Sequence, residues 1–132
     1  MTDPEWVAFE VVLAVHEAQI AEHGGLSGIR DQGLLESALA RPQNLYAYGN
    51  ASLHDMAALY AIGLAKNHTF VDGNKRTAWI VCATFLELNG LVVIADQSSV
   101  VTMMLRAAEG TVNDEQFSAW LRKVSGCPVR IL

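Results

Sequence analysis

Apolar residues recur at helical spacing along most of this chain, and the polar interruptions mark where one element ends and the next begins. Across residues 9–23, Phe9, Val12, Leu13, His16 and Ile20 fall along one side, with Glu10, Glu17, Gln19 and Glu22 mostly on the other. An amphipathic helix is predicted there, stopped by Gly24-Gly25. The stretch from Gly24 to Gly33 holds four glycines and suits a tight loop. Asp31 is placed to cap a short helix, Gly33 to Arg41, ended by Pro42. Residues 42–51 mix aromatic and turn-forming residues without helical caps, which predicts an irregular flap or short hairpin, with Tyr46 and Tyr48 as candidate contacts. Ser52 with Asp55 resembles a capping box. It opens a helix to about Asn67 whose Met56, Leu59, Tyr60, Ile62 and Leu64 cover most of its circumference, the mark of a buried helix.

A second apolar helix is predicted over 74–89 through Trp79, Ile80, Val81, Phe85, Leu86 and Leu88, ended by the left-handed tolerance of Asn89-Gly90. Leu91 to Ile94 is a short β-prone run. Asp96 caps a helix through Val100, Val101, Met104 and Leu105 that finishes at Gly110. Asn113 with Gln116 resembles another capping box, and the helix it opens runs through Phe117, Trp120, Leu121 and Val124, closed by Gly126 and Pro128. Val129 to Leu132 is a candidate edge strand. With no internal repeat or second pattern, the expected fold is mainly α, a single-domain helical bundle with a minor β element over residues 1–132.

Composition narrows the function. The 132 residues are 52% hydrophobic and 17% charged, enough for one packed core and far from a disordered composition. A net charge of -5 excludes a surface built mainly to hold DNA or RNA, which needs a basic field to displace counterions. Two cysteines, Cys82 and Cys127, make neither a disulfide framework nor metal-ligand spacing, and Asp3, Pro4 and Glu5 are not a signal-peptide start. The longest apolar run, Ala78 to Leu88, falls short of the roughly 20 residues that span a bilayer. A cytoplasmic protein with no membrane segment is expected.

Between the two most apolar helices lies His68-Thr-Phe70-Val-Asp72-Gly73-Asn74-Lys75-Arg76. Lys75 and Arg76 occupy a helix's first turn, where the peptide dipoles place positive charge and acidic residues are preferred. Free amide N–H groups, a glycine that lets backbone come close, and two added cations describe an anion site, and phosphate is the usual guest. Asp72 either pairs with those cations or binds a hard cation such as Mg²⁺. His68 carries an imidazole, the side chain suited to proton transfer near neutrality. The other histidines, His16, His23 and His54, lack such company and read as structural. A Walker loop is excluded because Lys75 follows Asn74, and an EF-hand because Arg76 and Ala83 would fill ligand positions.

These residues resemble the Fic/Doc family, whose signature is His-x-Phe-x-Asp/Glu-Gly-Asn-Gly/Lys-Arg between two core helices. The resemblance extends through His23-Gly-Gly-Leu-Ser-Gly-Ile-Arg-Asp31, Leu35-Glu-Ser-Ala-Leu39 and Asn67 to Ala78, which look like the death-on-curing (Doc) branch, and covers roughly residues 10–125. It implies that His68 is the general base for a target hydroxyl and that Phe70 anchors the loop. It further implies that Asp72 holds Mg²⁺ while Gly73, Asn74, Lys75 and Arg76 grip the phosphates of ATP. Family members that transfer AMP typically have glycine at the place of Lys75 and proline at the place of Thr69. Lysine there implies transfer of the γ-phosphate to a protein Ser or Thr, with elongation factor Tu the associated target, by a toxin that blocks translation and is held by an antitoxin segment. AMP transfer and a catalytically silent nucleotide-binding module are the alternatives. Thr111 to Gln116 comes near the family's inhibitory motif but ends in Gln, and reads as a helix start.

Overall fold

The computed structural model describes residues 3–127. Among these residues are six helices, α1 (Phe9–His23), α2 (Gln32–Tyr48), α3 (Leu53–Lys66), α4 (Asn74–Leu88), α5 (Gln97–Glu109) and α6 (Asp114–Val124). Two short strands, β1 (Val92–Val93) and β2 (Ser125–Gly126), pair antiparallel with Val92 opposite Gly126 and Val93 opposite Ser125. The fold is therefore a mainly α bundle with a minor β element, as the apolar spacing predicts. No helix among the described residues is long and apolar enough to cross a membrane.

Helix α3 is the axis of the bundle. Every residue from Met56 to Ala65 is buried, and α2, α4, α5 and α6 all pack against it. A helix with no polar stripe is stable only when surrounded, and here its four alanines and Gly63 let neighbours approach closely while Tyr60, Leu64 and Met56 fill the space between. The Tyr60 hydroxyl accepts the Val7 N–H at 3.2 Å, and burial pushes its ionisation above the ordinary phenol range. Burial likewise raises the pKa of the fully buried Cys82 thiol, leaving an inert core residue.

Most predicted caps form. Asp31 accepts the Leu34 N–H, Asp96 accepts the Ser99 N–H, and both capping boxes, Ser52 with Asp55 and Asn113 with Gln116, are complete. The two N–H and hydroxyl donors of Ser99 and the hydroxyl of Ser98 lower the pKa of Asp96 to about 2.

The largest departure from the sequence prediction is α2, which does not stop at Pro42. It continues to Tyr48, so the expected flap over 42–51 is helix for most of its length. Proline removes one backbone donor and crowds the preceding turn. Here that cost is offset because Pro42 is itself buried, Leu45 packs against the core, and Tyr46 meets Trp6 edge-on at 5.9 Å while its hydroxyl donates to Asp3. Of the proposed contact residues, Tyr46 is thus engaged internally and Tyr48 is 94% exposed. Asn89-Gly90 ends α4 as expected, with Gly90 taking the left-handed conformation while Asn89 has a φ of -104°. The Asn89 side chain accepts the Glu5 N–H at 2.8 Å and donates to Glu5 O, tying the N-terminal segment down. The candidate edge strand over 129–132 lies outside the described residues, and β1 takes Ser125–Gly126 as its partner.

Candidate active site

The loop between α3 and α4 is held from three sides. Phe70 is its anchor, 1% exposed, with its ring stacked on His16 at 3.8 Å between centroids and 8° between planes. The Asn74 carboxamide closes the loop internally. Its Oδ1 accepts the Phe70 N–H and its Nδ2 donates to Phe70 O, both at 2.9 Å. From outside, the segment after α1 lies antiparallel to the loop. Ile29 bridges Phe70, Thr69 O accepts the Arg30 and Asp31 N–H groups, and Val71 donates to Gly28 O.

His16 does more than fill the core. Its Nε2 is 2.8 Å from Asp72 O, and because a carbonyl only accepts, Nε2 carries the proton. That bond fixes the peptide entering Gly73, whose φ of +76° is the left-handed conformation from which α4 starts. A side chain at Gly73 would be both strained in φ and only 3.3 Å from Ile20 Cδ1. Gly25, at φ +116°, lies against Asp72 in the same manner, with room for a Cβ only 3.2 Å from the Asp72 Cβ. His16, expected to lack chemical company, instead packs directly against this loop and shapes it. The sequence signal was present: His16 is the one polar residue on the apolar face of α1.

Helix α4 starts with no side-chain cap and no acidic residue in its first turn. Its first turn instead carries the exposed Lys75 and Arg76, neither of which makes an ion pair among the described residues. A cleft of about 640 Å³ opens there between α1, α4 and α5. Gly73, Asn74, Lys75 and Arg76 line one part of it together with Gln19 and His23, while Trp79, Ile80, Val100, Val101 and Met104 make another part apolar. Cations and free helix amides on one side and aromatic and aliphatic walls on another suit a molecule with an anionic end and a flat apolar end.

The structure thus brings Gly73, Asn74, Lys75 and Arg76 to one cleft. Asn74 is 9% exposed and its carboxamide is committed to Phe70, so what it presents to an anion is its backbone N–H. His68 and Asp72 do not line the cleft; both are exposed on the loop that leads into α4. His68 adopts a left-handed φ of 48°, uncommon for a residue with a Cβ. Asp72 Oδ2 accepts the Leu26 N–H at 2.7 Å. Among the described residues no group of three His, Cys, Asp or Glu side chains gathers, so the chain forms no protein-only metal cage there. A lone exposed carboxylate next to an anion site fits Mg²⁺, which keeps water and is commonly held by one or two carboxylates plus phosphate oxygens. His23, expected to lack chemical company, lines the same cleft as Lys75 and Arg76, because α1 delivers it with Gln19 and α5 delivers Val100, Val101 and Met104 from far along the chain, whereas Trp79 lies one turn further along α4 itself.

Known proteins resemble this chain. A model of the Fic/DOC family matches residues 6–86. The chain is similar to "Protein kinase doc" of Escherichia phage P1, with 34% identity over 118 residues, 89% of this chain and 93% of that protein. It is also similar to "Toxin Doc" of Mycolicibacterium smegmatis (strain ATCC 700084 / mc(2)155), with 50% identity over 76 residues, 55% of this chain and 58% of that protein.

Proposed function

The chain belongs to the Fic/DOC family, and from that premise we propose that it is a Doc-type toxin that transfers the γ-phosphate of ATP to a Ser or Thr hydroxyl of a protein. The observation that carries this reading is the uncapped start of α4, where Lys75 and Arg76 face a cleft with apolar walls one loop away from His68. Cations in place of the usual cap make sense when the cap is a ligand's phosphate.

In this mechanism the triphosphate lies against Lys75, Arg76 and the first amides of α4, and the adenine side lies toward Trp79 and α5. Asp72 would hold Mg²⁺, which when bound supplies neutralising charge to the phosphate oxygens. His68 takes the proton of the target hydroxyl as its oxygen attacks the γ-phosphorus. The new O–P bond forms as the bond to the β-phosphate oxygen breaks, and ADP leaves. Charge-assisted contacts from Lys75 and Arg76 hold the phosphates in line for that attack. The name of the phage P1 relative, a protein kinase, supports phosphate transfer over AMP transfer. The name of the mycobacterial relative supports a toxin, and a toxin in turn calls for a cognate antitoxin; the target we assign is cytoplasmic. Elongation factor Tu is the target we assign, with arrest of translation the result.

The test is incubation of the purified protein with cell lysate and ATP labelled in either the α- or the γ-phosphate, beside a His68→Ala variant. Label entering a protein from the γ-position only is the expected result. Label from the α-position would establish AMP transfer instead, and ATP binding without transfer from either would establish a silent module. His68→Ala is expected to slow transfer about 10²–10⁴-fold, and transfer at the wild-type rate would remove His68 from the role of base.

A further inference from the structure

Arg30 is a cation with no carboxylate in ion-pair reach among the described residues. Its guanidinium instead spans two consecutive carbonyls. Nε donates to His68 O at 2.6 Å and Nη2 donates to Asn67 O at 3.0 Å. Asn67 is the C-cap of α3, and His68 follows it in the left-handed conformation. The last carbonyls of a helix carry partial negative charge and lack intrahelical donors, so a planar cation that reaches two of them is well matched. The main chain of Arg30 adds a third tie, its N–H donating to Thr69 O. Backbone and side chain of one residue therefore grip three successive carbonyls, those of residues 67, 68 and 69. His68 is exposed, so its ring orientation is not set by burial, as that of Phe70 is.

We propose that Arg30 is a positioning residue for His68, holding the left-handed turn that aims the imidazole at the target hydroxyl. This rests on the transfer reading given above. Arg30 touches neither the cleft nor the reacting groups, and it acts through the backbone of the residue that does. The fork of a guanidinium is needed to hold two carbonyls at once, so lysine is a partial substitute and alanine none.

The experiment compares the full-length wild type with Arg30→Ala and Arg30→Lys, measuring kcat and KM for ATP in the transfer assay, ATP affinity by calorimetry, and NMR shifts of the 67–70 backbone and the His68 ring. Arg30→Ala is expected to lower kcat on the order of 10- to 100-fold, the scale of a misplaced catalytic group, while ATP affinity stays within about twofold. The NMR signals of His68 should move in parallel, and Arg30→Lys should recover part of both. A kcat within about twofold of wild type, or a loss matched by an equal loss of ATP affinity, would overturn the proposal. Unmoved His68 signals in Arg30→Ala would overturn it independently, even with a wild-type protein that transfers nothing, so the two readings fail separately.

Discussion

The start of α4 and the starts of α3 and α6 solve the same problem in opposite ways. All three helices open with unpaired amides that need acceptors. At α3 and α6 the chain supplies them itself: Ser52 with Asp55, and Asn113 with Gln116, close complete capping boxes, with Asp55, Asp114 and Glu115 in the first turns. At α4 there is a left-handed glycine, no cap, and two cations. Helix α1 also lacks a side-chain cap, yet it carries Glu10 in its first turn. The contrast shows that the chain can cap its helices and does not do so at α4. The side chain best placed to help there, Asn74, turns back to Phe70. Its neighbours also differ in use: the capped starts bind the bundle together, as where Ser118 and Arg122 of α6 bond to Asp55, while α4 opens onto a cleft.

The sharpest way to break this comparison is Lys75→Glu. An acid in the first turn should stabilise α4 by about 0.3–1 kcal/mol. The same change removes a charge-assisted phosphate contact of about 1.5–3 kcal/mol, so ATP should bind more than tenfold more weakly. Denaturant unfolding and calorimetry read the two effects separately. If stability and affinity fell together, the start of α4 would be a structural feature rather than a ligand site.

Next in size, Ser52→Ala removes the α3 cap and should cost about 0.5–2 kcal/mol in urea unfolding. ATP affinity should not change, and a clear loss of affinity would mean that the two helix starts are energetically coupled.

The smallest effect is a pH dependence at the capped end. Burial first and Arg122 second lower the His54 pKa, against the opposing pull of Asp55. Its folded value lies below its unfolded one, so the unfolded chain binds the proton more readily. The stability from neutral His54 is therefore complete above the unfolded value, about 6.5, and is lost as pH falls through the folded value. Burial tends to raise the pKa of Asp55, but hydrogen bonds from Ser118 and Ser52 and the charge of Arg122 outweigh it, so its contribution is present above the ordinary carboxylate value and is lost as pH falls from there through the lowered folded value, at lower pH than that of His54. The urea midpoint should drop between about pH 7.5 and 5.5 in wild type and drop less in His54→Gln. Equal slopes in the two proteins would assign the dependence to other groups.

Much of the molecule was legible in the order of residues because the causes are local. Helix periodicity, the caps at Asp31, Ser52, Asp96 and Asn113, and the buried character of α3 each depend on neighbours within one or two turns. The polar loop with cations at a helix start also declared itself, since Lys75 and Arg76 violate a local rule without a local remedy. Pro42 misled the reading for the complementary reason: its breaking tendency is local, while the packing of Leu45 and Tyr46 that overrides it comes from the core and the N-terminal segment.

The sequence by itself determined that a polar loop with two cations at a helix start lies between the two most apolar helices, and that this loop is the candidate for chemistry. Only the tertiary structure decided that His16 and Arg30 hold the two ends of the loop, and that α5 turns the start of α4 into a cleft. The physical reason is distance along the chain. Side chains there reach backbone carbonyls 37 to 56 residues away, and no periodicity or capping rule reaches that far.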